Sequence, residues 1–218
     1  MTQRAIVLAN GRIEDPATLR IRLAGWGNAL VIAADGGSRH AELLGLRLDA
    51  IIGDLDSLDP GRRDALSAAG TRLETHPDHK NETDLELALL DAVQHGAERI
   101  VLLGTLGGRL DMMLANLLLL LHPQLADVHI EVWNGNQTAW LIRPPGADLF
   151  GAPGDTLSLI PLLGNTDGVT TQGLEYPLNN ETLEIGKARG ISNVFTQDRA
   201  HVSFRSGVMM AVHTPGRA

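Results

Sequence analysis

The sequence has no cysteine, and several other absences alongside it narrow the chemistry. Without cysteine there is no disulfide, no thiolate nucleophile and no cysteine metal ligand, which suits a reducing compartment, so a cytoplasmic location is expected. The longest apolar segment, Leu110 to Leu121, is interrupted by Asn116 and falls short of the roughly 20 residues a bilayer-spanning helix needs. The run Ala5 to Ala9 is too short for a signal-peptide core and reads as a first strand; no membrane partner is expected. Basic residues are in deficit, 18 Lys and Arg against 26 Asp and Glu, for a formal charge of −8. That argues against non-specific nucleic-acid binding, which runs on clustered Lys and Arg. It leaves a polyphosphate ligand open, because carboxylates can hold phosphates through a bridging Mg²⁺. His-Glu-x-x-His, Gly-x-Ser-x-Gly and Walker A sequences are missing, His76 and His79 lack a helical ligand spacing, and Ser57 has no recognisable base. Zinc chemistry and a nucleophilic triad therefore have no support.

What is present is a chain of 218 residues, 44% hydrophobic and 20% charged, enough for one sizeable core plus a small satellite domain. Apolar runs at 4–10, 29–34, 49–53, 72–75, 99–103 and 128–133 read as strands, and the segments between them as helices. Pro16 and Pro60 sit near helix starts. Thr83 with Glu86 forms a capping box ahead of Leu85, Ala88, Leu89 and Ala92, and Gly96 ends that helix. The segment from about Arg109 to Leu121 is apolar on nearly every face and is expected to lie packed between other elements. Strands alternating with helices predict an α/β fold: an N-terminal Rossmann-like domain over 1–146 with a mostly parallel sheet. Ligands of such sheets bind at the carboxyl ends of the strands. Past the turn residues Pro144-Pro145-Gly146 the pattern becomes short alternating runs, predicting a smaller all-β, sandwich-like domain over 147–218. So small a domain is expected to pack on the first one or on another subunit.

The chemistry concentrates at the predicted strand ends. Ala50-Ile51-Ile52-Gly53 delivers Asp54-Leu55-Asp56, two carboxylates that are costly together unless a cation lies between them; an Asx-rich turn ahead of Pro60 is the plain alternative. Asp35-Gly36-Gly37 gives a carboxylate and two residues whose backbone can approach a ligand closely, or simply a turn. Asp84 either joins a metal site or complements a helix dipole. In Gly107-Gly108-Arg109-Leu110-Asp111, a guanidinium at a helix start opposes the dipole and points to an anionic ligand; otherwise Arg109 and Asp111 form a surface pair.

These four motifs in this order, with Lys80-Asn81-Glu82-Thr83-Asp84, Ala115-Asn116-Leu117, Gly173 to Leu178 and Ile191-Ser192-Asn193, resemble thiamine pyrophosphokinases over nearly the whole chain. The resemblance implies a homodimer with thiamine at the subunit interface and transfer of a diphosphoryl group from ATP to the thiamine hydroxyl, giving thiamine diphosphate and AMP. It implies that Asp54, Asp56 and Asp84 hold Mg²⁺ and the polyphosphate, with Asp35 close by and Arg109 and Asp111 in the active site. Gly36, Gly37, Lys80, Thr83, Gly107, Gly108 and Asn116 then belong to the nucleotide site, and Ser192, Asn193 and Met209 to the thiamine site. Asp35, Asp84 and Asp111 are alternatives for accepting the hydroxyl proton. Two departures from the family pattern are Met112, where a His is common, and Leu106, where a Thr is frequent. Near the C-terminus Val208 to Val212 offers no aromatic to stack on thiamine, leaving Met209 or Met210 as a softer apolar wall. A haloacid-dehalogenase phosphatase also carries Asp-x-Asp, but after its first strand, whereas here the pair follows the third. The remaining alternatives are a diphosphokinase for another heterocyclic alcohol such as a pterin, and a non-catalytic nucleotide or thiamine sensor.

Overall fold

The computed structural model describes residues 3–77 and 79–217, in two compact units, Met1–Gly135 and Asn136–Ala218. In the first unit six strands lie in the order β6-β5-β1-β2-β3-β4, all parallel: β1 (Arg4–Leu8), β2 (Leu30–Ala34), β3 (Ala50–Gly53), β4 (Arg72–Thr75), β5 (Arg99–Leu103) and β6 (His129–Asn134). Strands covered on both faces read as unbroken apolar runs, and Ile6, Val7, Leu8, Ile51 and Ile52 are all at most 1% exposed. β1 pairs with β2 on one side and β5 on the other. The chain therefore reverses its direction of growth at β1, and the crevice at such a switch point is where open α/β sheets bind ligands.

Among the described residues five α-helices connect these strands: α1 (Pro16–Leu23), α2 (Arg39–Leu44), α3 (Pro60–Ala68), α4 (Asp84–Gln94) and α5 (Leu110–Leu118). Their starts follow from local chemistry. Asp15 and Asp59 cap α1 and α3 ahead of a proline, and Thr83 Oγ1 accepts the Glu86 amide at 3.2 Å to start α4. α4 buries Leu85, Ala88, Leu89 and Ala92, as its periodicity predicts. α5 differs from expectation. Only Asn116 of its residues is buried, and Leu110, Leu114 and Leu118 are 69%, 56% and 51% exposed. An apolar pattern marks a face that avoids water; it does not say whether the cover comes from the same chain.

The second unit has two antiparallel sheets. One is ordered β12-β9-β14-β7, from β7 (Gln137–Ile142), β9 (Thr156–Pro161), β12 (Asn193–Val194) and β14 (Met209–Thr214); the other is β11-β10-β13-β8, from β8 (Gly146–Phe150), β10 (Thr166–Gln172), β11 (Glu181–Leu183) and β13 (Arg199–Ser203). Their inner faces meet through Leu157, Leu159, Val169, Phe195, Val202 and Met209. β7 lies in this unit, so the turn residues at 144–146 connect two of its strands. Among the described residues no helix is long and apolar enough to cross a membrane.

Candidate active site

The carboxyl ends of β1, β2 and β5 open into a cleft of about 340 Å³, lined by Asn10, Asp35, Asp84, Gly108, Arg109 and Met112 among others. At its edge Asp54 joins Asp35 and Asp84. Asp35, Asp54 and Asp84 each offer an oxygen within 4.8 Å of the other two. Gly53 makes that approach sterically possible, because a Cβ at its position would stand 2.9 Å from Asp35 Cβ and 3.0 Å from Asp84 Cγ. Each carboxylate is oriented by a neighbour: Ser57 Oγ donates to Asp35 Oδ1 at 2.9 Å, the Asp56 amide donates to Asp54 Oδ1 at 3.1 Å, and Lys80 Nζ lies 2.7 Å from Asp84 Oδ1. Convergent hard oxygens of this kind suit a divalent cation such as Mg²⁺, and the single charge of Lys80 offsets only part of their mutual repulsion.

Asp56, which the family resemblance grouped with Asp54 and Asp84, stands outside this trio, and Asp35 is its third member. The reason is Leu55, which adopts the left-handed conformation (φ 61°) with its side chain 2% exposed. In an extended strand residues i and i+2 share a face; a left-handed residue between them breaks that relation.

Around the rest of the cleft, Gly107 and Gly108 both have positive φ, 84° and 87°, and a Cβ on Gly107 would fall 2.6 Å from Arg12 Cγ. Arg109 is the N-cap residue of α5 and is exposed, paired with Asp111 at 2.6 and 3.1 Å. Hydrogen bonding from Arg109 holds the Asp111 carboxyl below the usual range, and the same pair raises the guanidinium. Both are solvated, so the pair is easily exchanged for another anion. Asn116 is buried, and its Nδ2 donates to Thr105 O at 3.1 Å, which ties α5 to the loop after β5. Thr83 spends its hydroxyl on capping α4. Gly36 and Gly37 are small because of protein packing: Cβ atoms there would strike Asn10 and the Leu8 carbonyl.

In the second unit, Ser192 has φ 57° and its amide donates to Ser158 Oγ at 3.1 Å. The Asn193 amide group is engaged with backbone, donating to Tyr176 O at 2.7 Å and accepting from Tyr176 and Val194 amides at 3.0 and 2.9 Å. Met209 is 0% exposed in the core of that unit, so its side chain faces the interior and offers no wall to a ligand. Met210, adjacent in the strand, is 6% exposed.

Sequence reasoning passed over Asn10 and His40, and weighed Ser57 only as a nucleophile. Asn10 lies two residues past the end of β1, at the edge where such sheets bind ligands, which is the signal that could have found it. His40 Nε2 lies 2.9 Å from Gly11 O, and burial pushes its pKa down, so the neutral ring donates that hydrogen bond and anchors the loop after β1. Arg39 Nη2 secures the same loop through Asn10 O at 2.9 Å.

A parallel sheet with carboxylates gathered at its carboxyl edge, joined in one chain to an antiparallel two-sheet unit, defines a two-unit α/β enzyme class built around an acidic crevice. Residues 24–132 match the family model described as thiamin pyrophosphokinase, catalytic domain, and residues 146–209 the model described as thiamin pyrophosphokinase, vitamin B1 binding domain. The chain belongs to the thiamine pyrophosphokinase family, a family of enzymes. It is 28% identical over 163 residues to a thiamine pyrophosphokinase of Bacillus subtilis, an alignment covering 74% of this chain and 76% of that protein. With thiamine pyrophosphokinase 1 of Oryza sativa subsp. japonica it is 24% identical over 95% of this chain and 86% of the relative. The crystal structure of thiamine pyrophosphokinase from Bacillus subtilis superposes with a TM-score of 0.84 at 24% identity, covering 98% of this chain and 99% of the other, which establishes the fold.

Proposed function

We propose that the protein transfers a diphosphoryl group from ATP to thiamine, releasing thiamine diphosphate and AMP. The observation that carries the reading is the convergence of Asp35, Asp54 and Asp84 within 4.8 Å at the crevice of a member of this family. In the reaction the thiamine hydroxyl oxygen forms a bond to the β-phosphorus of ATP. The bond from that phosphorus to the oxygen bridging it to the α-phosphate breaks, and AMP leaves with the bonding electrons. Phosphoryl transfer asks a protein mainly for positioned substrates and neutralised charge.

Asp35, Asp54 and Asp84 would hold Mg²⁺, which would supply positive charge to the diphosphate oxygens. Asp56 lies on the same turn, its amide donating to Asp54 Oδ1. Arg109 exchanges Asp111 for phosphate oxygens, beside the backbone of Gly107 and Gly108. Lys80 orients the Asp84 carboxylate. One of Asp35, Asp84 and Asp111 takes the hydroxyl proton. The second unit, with Ser192 and Asn193, contributes to thiamine binding by ordering the backbone from Tyr176 to Val194. The exposed stripe Leu110, Leu114 and Leu118 supports a homodimer with α5 at its interface. The absence of cysteine is in keeping with a cytoplasmic enzyme.

The test is to incubate the purified protein with ATP, Mg²⁺ and thiamine and to separate the products. Thiamine diphosphate and AMP in equal amounts, both abolished by Asp54→Asn, support the reading. ADP or phosphate without thiamine diphosphate overturns the acceptor assignment and directs the assay to other heterocyclic alcohols such as pterins. Thiamine binding with no product makes the protein a sensor.

A further inference from the structure

Arg63 lies in the first turn of α3, outside every motif singled out in the sequence, and its guanidinium turns back toward β3. Nε donates to Leu58 O at 3.1 Å, and Nη2 makes a second, short hydrogen bond to Leu55 O. These two carbonyls bracket the turn that follows Asp54. The turn needs such restraint. Leu55 is a non-glycine residue in the left-handed region, φ 61°, a conformation that costs about 1–2 kcal/mol for an L-residue. Three groups oppose its relaxation: the Leu55 and Leu58 side chains, 2% and 4% exposed, the Leu58 amide on Leu55 O at 3.2 Å, and the Arg63 fork. Beside the apolar packing that Leu66 of α3 shares with Leu55 and Leu58, the fork ties the turn's backbone to that helix. Among the described residues Arg63 has no ion-pair partner, so its two carbonyl bonds are the visible use of its charge. Its stem is half-buried, whereas the neighbouring Arg62 is exposed.

We propose that Arg63 is a positioning residue for the cation site: by clamping Leu55 O and Leu58 O it holds the left-handed turn that aims Asp54 at Asp35 and Asp84. This rests on the carboxylate trio being a cation site, as in the proposed function. Releasing the clamp lets Leu55 return toward negative φ and rotates the peptide that follows Asp54. Groups that orient metal ligands from behind in this way typically change metal affinity about 10- to 100-fold when removed.

The experiment is a titration of the full-length protein with Mn²⁺, without nucleotide, followed by electron paramagnetic resonance, for wild type, Arg63→Gln, Arg63→Lys and the control Arg62→Gln. It is paired with thermal unfolding in EDTA and with hydrogen exchange at the Leu58 amide. The expected result is about tenfold weaker Mn²⁺ binding and faster exchange at Leu58 in Arg63→Gln. Partial recovery is expected in Arg63→Lys, whose ammonium can reach one carbonyl, with Arg62→Gln unchanged. In turnover assays the deficit of Arg63→Gln shrinks at saturating Mg²⁺. Mn²⁺ affinity within twofold of wild type overturns the proposal. So does a loss that accompanies a uniform rise in exchange across α3 and β3 and a matching fall in melting temperature, since Arg63 is then only structural. If the wild type binds no Mn²⁺, it is the cation reading that fails. Leu58 exchange then decides the clamp by itself: selective acceleration in Arg63→Gln upholds it, and no acceleration removes it.

Discussion

Replacing Asp54 by Asn keeps the shape of the side chain and an Oδ1 able to accept the Asp56 amide, which donates to it at 3.1 Å, while removing one negative charge from the trio. Its oxygens lie within 4.8 Å of those of Asp35 and Asp84. At that separation each like-charge pair costs about 0.9 kcal/mol in a water-like medium and about 3.5 kcal/mol at an effective dielectric constant of about 20. Asp54 is only half-buried, Lys80 sits 2.7 Å from Asp84, and Ser57 donates to Asp35, so the lower part of that range applies. The metal-free protein is therefore expected to gain about 1–2 kcal/mol on Asp54→Asn, or about 2–8 °C in melting temperature for a chain of this size. The gain should diminish in molar salt, where the screening length falls to about 3 Å. In Mn²⁺ the order reverses, because the wild type is stabilised by the bound ion and the variant loses a ligand. Thermal melts in EDTA, in EDTA with salt, and in Mn²⁺ decide it. A variant less stable than wild type in EDTA refutes the repulsion argument; one that Mn²⁺ stabilises as much as the wild type refutes the cation site.

Gly53→Ala places a methyl 2.9 Å from Asp35 Cβ and should cost about 2–4 kcal/mol by overpacking and backbone strain while weakening Mn²⁺ binding; urea titration checks the first and metal titration the second, and an unchanged midpoint would mean the site has slack. His40 has its pKa lowered by burial from the ordinary value of 6.5, so the unfolded chain takes up a proton that the folded one refuses. Its stabilising contribution is complete above pH 6.5 and is lost as pH falls below it, with a slope of at most about 1.4 kcal/mol per pH unit. His40→Gln, which keeps a donor for Gly11 O, should flatten the acid side of the stability profile, measured by urea unfolding at pH 7.5 and 5.5; identical slopes would show that His40 does not titrate there. Leu114 is 56% exposed on α5, so Leu114→Glu should leave the melting temperature of a monomer nearly unchanged and convert a dimer to monomer in sedimentation. A wild type that sediments as a monomer, or a variant that stays dimeric, removes α5 from the interface.

Much of this was legible locally. The six parallel strands could be read because a strand buried on both faces is an unbroken apolar run, as in Ile6 to Leu8 and Ile51-Ile52. The starts of α3 and α4 could be read because Asp59-Pro60 and Thr83 satisfy amides within their own turn. The acidic motifs stood at the ends of those strands, where the topology collects ligands. Other features have no signature of that range. β7, β8 and β12 mix polar and apolar residues or are too short to show a period, and their strand state is set by the partners they pair with. Met209 looked available as an apolar wall, yet the register of β14 between β7 and β9 points it into the core.

The sequence by itself determined which residues carry charge and where the capped helices and the buried parallel strands begin, because caps, turns and apolar periods are interactions between near neighbours. Tertiary structure decided which carboxylates meet. Asp35, Asp54 and Asp84 come from separate segments and are gathered by the sheet order, by the missing side chain of Gly53 and by a left-handed Leu55 that diverts Asp56. Such a convergence depends on distances between elements that no local pattern contains.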